Sequence, residues 1–396
     1  MATPSLLSTL LLLLLGLAIA QLMAGRLARW AVPAIVVELA MGFLLGNTLL
    51  PFEAIRPLSG LTELGVLTLF FQVGLEVRGD LLSARRATIL RLVALSFLVP
   101  LLAYWPLRQA FAMEPATALL CLACLSATGT GVTLRLLAQR QALRSPSGRL
   151  LVGVSVLDDL PAIALLSLAV AAAGGALGQG GVGGQAGLLL GLGAAAASYV
   201  GAGWWVRRPG GARQPRGPLA ILMLLIGCSW LGEATGLTSL LGALWGGVLL
   251  NRITPEGRAL DSEVSPVLVV LSEVFLPLYF ISVGMRVPLE SLLEPRAWLL
   301  GLVLLAMALL SKLACGLGVI AADRRAGIDR WVVVFGLVPR GLPGLVFATT
   351  ALSAGVIDAI QFSALVMMVT ATTVVGLLLL ERRLAQLGRF ITPLAS

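Results

Sequence analysis

The sequence predicts an all-α polytopic membrane protein of about thirteen transmembrane helices, two inverted six-helix repeats, each with a broken helix, around a linker helix. Three observations carry this expectation. The chain is 58% hydrophobic and only 12% charged, against roughly 25% charged residues in a soluble domain. Its apolar runs recur near the roughly 20 residues that a bilayer crossing requires. Its arginines gather on alternate connections between those runs.

The runs fall at 5–25, 31–50, 61–77, 87–107, 115–139, 150–173, 186–206, 218–235, 237–250, 265–284, 297–321, 331–354 and 359–380. The first, Leu6 to Leu22, lacks a basic leader and a convincing cleavage site, so it reads as a spanning helix rather than a signal peptide. The ninth is short and abuts the eighth. Sorting arginines by connection puts 20 on one side, among them Arg26, Arg85, Arg149, Arg252 and Arg383, and only Arg56, Arg108, Arg286 and Arg296 on the other. The arginine-rich side is then cytoplasmic, the N-terminus outside and the C-terminus inside. The net charge of +9 is accounted for by these loops, with no nucleic acid needed. Arg91 and Arg135, close to basic loops, are expected to snorkel. The uncharged stretch Gly174 to Gly187 reads as an external loop, and the residues after Arg383 leave no room for a soluble regulatory domain. Cys121 and Cys124 form a C-x-x-C with no histidine or second pair nearby, which reads as packing.

Against this apolar background a few polar residues stand out. Lys312 is the one lysine among 28 basic residues and lies inside the run 297–321. Arginine stays protonated in proteins, whereas a lysine can release its proton. Asp158 and Asp159 lie inside the run 150–173. Ionisable groups at bilayer depth are costly and mark functional sites. Asp158 is nine residues from Arg149, and Lys312 eleven from Asp323. At 1.5 Å per residue, both sit roughly 14–16 Å deep, near the midplane. They can therefore meet. Neighbouring helix residues point about 100° apart, so one aspartate can pair with Lys312 while the other faces an ion path. Ser155 lies one turn before Asp159 on the same face.

Two runs are interrupted. One contains Ser126-Ala127-Thr128-Gly129-Thr130-Gly131, the other Val338-Pro339-Arg340-Gly341-Leu342-Pro343-Gly344. Each is fifth in its half of a six–one–six division, and matched interruptions in inverted halves point to a transporter's substrate site. Arg340 is placed to balance the C-terminal ends of such broken helices.

These stretches resemble the bacterial sodium/proton antiporters of the cation:proton antiporter superfamily, particularly its second, paired-aspartate branch. The likeness runs through Val32-Pro33 to Gly46, Leu64-Gly65 to Glu76, Ser126 to Thr133, and Ser155-Val156-Leu157-Asp158-Asp159. It continues through Leu241 to Leu250, Phe280 to Met285, the helix around Lys312, and Gly336-Leu337-Val338-Pro339-Arg340-Gly341. The resemblance implies dimer-domain helices roughly at 5–77 and 218–284, core-domain helices roughly at 87–173 and 297–380, and a linker helix roughly at 186–206. It implies that Asp159 binds the cation, with Asp158 also at the metal position and paired to Lys312. Ser126, Thr128, Thr130 and Ser155 would complete the broken-helix ion site, with Na⁺ expected. Exchange would be electrogenic, in a homodimer embedded in lipid of a bacterial inner membrane, without cofactor. Two features depart from the pattern: Leu342 and Pro343 stand where many relatives carry an acidic residue, and Gly129 follows Thr128 where an aspartate is common. These leave Na⁺, Li⁺ and K⁺ open. Glu38 and Glu76 lie in matching segments, as helix-end carboxylates or ion ligands.

The reading is therefore exchange of a monovalent cation for protons, with K⁺/H⁺ exchange as its alternative. A non-transporting sensor or assembly subunit is the alternative from another class, but such a chain would be expected to lose its intramembrane charges. With no histidine and no recognisable nucleophile arrangement, an enzyme is not expected.

Overall fold

The computed structural model describes residues 6–27, 32–76, 85–142, 145–172, 185–207, 218–235, 239–253 and 264–391. Among them the chain is helical, without strands. The principal helices are α1 (Leu6–Leu27), α2 (Ala34–Thr48), α3 (Ser59–Glu76), α4 (Arg86–Leu101), α5 (Pro115–Ser126), α6 (Thr130–Gln139), α7 (Pro146–Ala172) and α8 (Gln185–Arg207). They continue with α9 (Pro218–Ala234), α10 (Ser239–Ile253), α11 (Val264–Met285), α12 (Pro295–Cys315), α13 (Arg330–Leu337), α14 (Gly341–Ser353) and α15 (Ala359–Ile391). Six stretches of the described residues are long and apolar enough to cross a membrane, including Leu7–Leu27, Pro295–Gly318, Arg330–Ser353 and Ala359–Leu387. The predicted glycine-rich loop at 174–187 lies largely outside the described residues.

Two sets of helices emerge from the packing. In the first, α1 lies on α2, α2 on α11, α3 on α10 and α11, and α9 on α10. In the second, α5 packs on α7, α4 on α7 and α12, α12 on α15, and α14 on α5 and α15. α8 leans on α10, where the Trp245 indole N–H donates to Ser198 Oγ at 3.0 Å.

Lipid offers little hydrophobic drive for helices to associate, so close van der Waals contact through small residues must do it. The first set shows this in two reciprocal pairs. A Cβ on Gly42 of α2 would lie 2.0 Å from the Ile281 carbonyl oxygen, and one on Gly284 of α11 would lie 2.1 Å from that of Leu39. A Cβ on Gly74 of α3 would lie 2.0 Å from the Leu244 oxygen, and one on Gly247 of α10 would lie 2.0 Å from that of Phe71. Exchanging the halves of the chain maps the α2–α11 contact onto the α10–α3 contact, as inverted repeats require.

Both predicted interruptions are present, between α5 and α6 and between α13 and α14. Pro339 cannot supply an N–H to the helical ladder. The two breaks touch: the Gly129 N–H donates to the Pro339 carbonyl at 2.6 Å. A Cβ on Gly129 would lie 2.5 Å from the Gly341 backbone, and Gly341 itself has φ +46°. Glycine is required at both positions, at Gly129 for the approach and at Gly341 for the left-handed backbone as well.

The structure departs from the expected spans in three places. The span predicted at 87–107 is present as Arg86–Ala110, but it is interrupted: a turn, in which the Leu102 and Ala103 N–H groups bond back to Val99 and Pro100, divides α4 from a short helix at Tyr104–Ala110. The last helix continues to Ile391 instead of ending near 380, because Leu384 and Leu387 pack onto the cluster around Leu137, Leu151 and Leu380. Its extension is tied down by Arg383, which pairs with Asp329 at 2.6 Å. Burial works to raise the Asp329 carboxyl, but the Arg383 hydrogen bond and the Val332 N–H outweigh it and hold it below its ordinary value. Finally, Arg91, expected to snorkel, has a specific partner in the protein. It bonds Asp323 at 3.0 Å, beside Thr88 Oγ1 on the other oxygen at 2.8 Å, because Asp323 is buried and its charge needs partners. The Arg135 side chain lies outside the described residues.

The crossing predicts a test. Gly129→Ala forces the backbones apart and should lower stability by about 1–3 kcal/mol, the usual cost of overpacking. Gly60→Ala, whose Cβ would meet nothing within 4 Å, should be neutral or slightly stabilising. Thermal melting of the purified protein, followed by size exclusion, separates the two; equal melting temperatures would contradict the crossing.

Candidate functional site

Four elements converge where the interrupted segments cross: the broken ends of α5 and α14, the middle of α7 with Asp158, and α12 with Lys312. Asp158, Lys312, Arg340, Ser126 and Thr128 are all buried, and the Lys312 and Arg340 side chains have no exposure at all.

Lys312 Nζ lies 3.3 Å from Asp158 Oδ2, 2.8 Å from Thr128 Oγ1 and 3.3 Å from the Ser126 carbonyl oxygen. It also donates to Ser96 Oγ on α4. The Thr128 hydroxyl in turn donates a hydrogen bond to Asp158 Oδ2. The ammonium is thus surrounded by oxygens from α4, α5, the break and α7.

Arg340 grips the same helix end from the other side. Its Nη1 donates to the Ala127 carbonyl at 2.8 Å, and its Nη2 to the Ala308 carbonyl and Ser311 Oγ, each at 3.1 Å. The last carbonyls of a helix lack intrahelical partners and carry its negative dipole end. At α5 they are met by one cation each, Lys312 on Ser126 and Arg340 on Ala127. Thr133 Oγ1 donates to the Gly336 carbonyl at 2.8 Å, joining α6 to α13, and the Gly341 N–H donates to Thr373 Oγ1 at 3.2 Å.

Of the residues singled out from sequence, the structure therefore brings together Asp158, Lys312, Thr128, Ser126 and Arg340. The side chains of Asp159, Ser155, Thr130 and Glu76 lie outside the described residues; Asp159 follows Asp158 on α7. Glu38 is buried on α2. The Ser126 hydroxyl is buried and has no hydrogen-bond partner among the described residues. Among the described residues, no cluster of three or more His, Cys, Asp or Glu side chains could hold a metal ion. Cys121 and Cys124 are free and buried, and Cys124 Sγ lies 3.7 Å from the Gly344 carbonyl, as packing residues would.

Sequence reasoning missed Ser96 and Ser311. Ser96 carried a faint signal, as the one polar residue between Arg91 and Tyr104. Ser311 sits next to Lys312 yet serves Arg340, a division that spacing alone does not give.

The chain matches the family described as "Sodium/hydrogen exchanger, transmembrane" over residues 10–382, and it belongs to that family. This is a family of multi-pass membrane transporters. The chain is 26% identical over 367 residues to the Na⁺/H⁺-K⁺ antiporter GerN of Bacillus cereus, covering 89% of this chain and 90% of that one. It is 25% identical to the high-affinity Na⁺/H⁺ antiporter NhaS3 of Synechocystis, covering 81% and 70%. Its fold matches the structure of the sodium proton antiporter MjNhaP1 from Methanocaldococcus jannaschii, with a TM-score of 0.65 at 17% identity over 97% of this chain and 98% of that chain.

The buried pair makes a further prediction. Removing one partner leaves an uncompensated buried charge, so Asp158→Asn and Lys312→Met should each cost about 3–5 kcal/mol of stability. The double variant should lose clearly less than the sum of the two. Melting temperatures of all four proteins form the cycle, and strict additivity would show that the two side chains do not interact.

Proposed function

We propose that the chain exchanges Na⁺ for protons by alternating access, with the exchange centred on Asp158, Asp159 and Lys312. The observation that carries this reading is the Lys312–Asp158 pair, fully buried where two interrupted helices cross. Membership of the sodium/hydrogen exchanger family supports it.

Charge counting gives the mechanism. Among the described side chains of the site, Lys312 and Arg340 are cationic and Asp158 is anionic. Asp159 in ionised form brings the site to neutrality. An entering monovalent cation then makes it positive in a low-dielectric surrounding, where unbalanced charge is costly. Release of a proton from Lys312 restores neutrality. If Asp159 enters the cycle protonated, its proton leaves as well, giving two protons against one cation. Each cycle then moves one net charge, worth about 2.3 kcal/mol per 100 mV of membrane potential.

A hard cation prefers oxygen ligands. Asp159 supplies the carboxylate in this scheme. The unpartnered Ser126 hydroxyl offers a further oxygen, and Thr130 and Ser155 complete the proposed set. Once Lys312 is neutral, the ends of α5 and the Asp158–Thr128 pair have one cation fewer to satisfy them, which favours the incoming ion in its place. Arg340 keeps its proton throughout and holds the broken segments together.

The second set of helices is proposed as the moving core and the first as the dimerisation domain of a homodimer, with α8 as linker. The N-terminus is placed outside, in a bacterial inner membrane, and the C-terminus in the cytoplasm. Potassium/proton exchange is kept as a second reading because the Bacillus cereus relative is a Na⁺/H⁺-K⁺ antiporter.

Cation-evoked collapse of a pH gradient in proteoliposomes, scanned over Na⁺, Li⁺ and K⁺, tests the proposal. Na⁺ should give the largest response, and Asp159→Asn should abolish it while leaving folded protein. Near-normal Na⁺ response in that variant removes Asp159 from the mechanism, and a K⁺ response exceeding that to Na⁺ favours the second reading. Vesicles diluted to one protomer each should lose activity if the dimer is needed; full activity there contradicts it.

A further inference from the structure

The two sets of helices touch along a boundary that includes α11 of the first and α14 of the second, and two side-chain hydrogen bonds cross between them. The Tyr279 hydroxyl lies 2.8 Å from Thr349 Oγ1, and Arg286 Nη1 donates to Ser353 Oγ at 2.9 Å. Thr349 gives its own proton to the Val346 carbonyl at 3.0 Å, so Tyr279 is the donor in the first bond. Tyr279 lies in the last two turns of α11 and Arg286, seven residues on, immediately follows its end, while Thr349 and Ser353 are four apart at the end of α14. Spacings of seven and four return to the same helix face. The bonds are therefore two rungs on a single seam, not isolated contacts.

Each rung is anchored on its own side. The Arg286 guanidinium also lies over the Phe52 ring at 4.1 Å, which fixes it to the first set. Tyr279 and Thr349 are each only 7% exposed, so this seam is closed. Thr349 lies eight residues beyond Gly341, about 12 Å along α14 from the crossing. The seam thus stands between the charged site and the ends of α11 and α14.

We propose that this ladder is the outer latch of the exchanger: Tyr279 and Arg286 hold α11 against α14 while the site faces the cytoplasm, and both bonds part when it opens outward. The proposal rests on the antiport reading and on the orientation given with it. Polar rungs suit a seam that must open repeatedly, because an opening cleft admits water that replaces each lost bond, leaving a small net cost. A purely apolar seam would gain no such compensation.

Tyr279→Phe and Thr349→Val each remove one hydroxyl from the same rung. Val346 is 5% exposed and sits three residues inward from Thr349 on the same face, so Val346→Cys reports opening of the seam. The full chain in oriented proteoliposomes is treated from the outer side with a charged, impermeant methanethiosulfonate, and modification is read by mass spectrometry of the peptide holding residue 346. Each hydroxyl deletion should raise the modification rate about fivefold, the factor an ordinary net hydrogen bond represents. The double deletion should add nothing to either single one, since both remove one bond. Unchanged rates in both variants, or a double variant whose increase is the product of the singles, would overturn the latch. If Tyr279→Phe fails to fold, Thr349→Val carries the same test. Labelling does not depend on which ion is carried. A Val346→Cys protein whose labelling responds to the hydroxyl deletions as expected, while the chain with Val346 exchanges no cation, would refute the antiport reading instead.

Discussion

Lys312 and Arg340 are both basic side chains sealed from solvent, and both are held by the broken end of one short helix. That mutual dependence is the constraint on which the rest of the molecule turns. An unpaired helix end in a membrane leaves carbonyls without partners, and a buried cation leaves donors without acceptors. Ending α5 at Ser126 and bringing α12 and the α13–α14 break against it satisfies both at once. Asp158 then balances Lys312 directly, and Thr128 sits between them as acceptor from the amine and donor to the carboxylate.

The two helix sets are built on different physics. The first is held by backbone contact across glycines, an arrangement with little tolerance for rearrangement because the carbonyl of one helix already occupies the place of a side chain on the other. The second is organised around charge, with its crossing point at Gly129 and Gly341. This contrast supports the proposal that the first body stays fixed while the second carries the site.

Much of this was legible in the sequence. Apolar runs placed the helices, and Gly-rich and Pro-rich interruptions in matched positions placed both breaks. Depth arithmetic brought Lys312 and Asp158 to the same level, where the structure has them in contact. What could not be read depends on rotation and on partners from distant helices. Ser96 reaches Lys312 across 216 residues of chain, and no local pattern marks that. The partner of Arg91, Asp323, arrives from the far half of the chain, where no local pattern points to it. The last helix outran its apolar stretch because a few leucines beyond the charged segment found a packing surface. The proposed cation ligand, Asp159, rests on its place beside Asp158 in the chain and on the family resemblance.

The central claim is that Lys312 gives up a proton when the cation binds, beyond neutralising Asp158. Sodium-evoked currents on a solid-supported membrane, recorded across pH for wild type and Lys312→Arg, address it most directly, because arginine can keep the ion pair but cannot release its proton. The account predicts a stable Lys312→Arg protein whose current is lost or strongly reduced and whose pH dependence has changed. Currents of wild-type size with an unchanged pH profile would contradict it, leaving Lys312 as a structural counter-charge only.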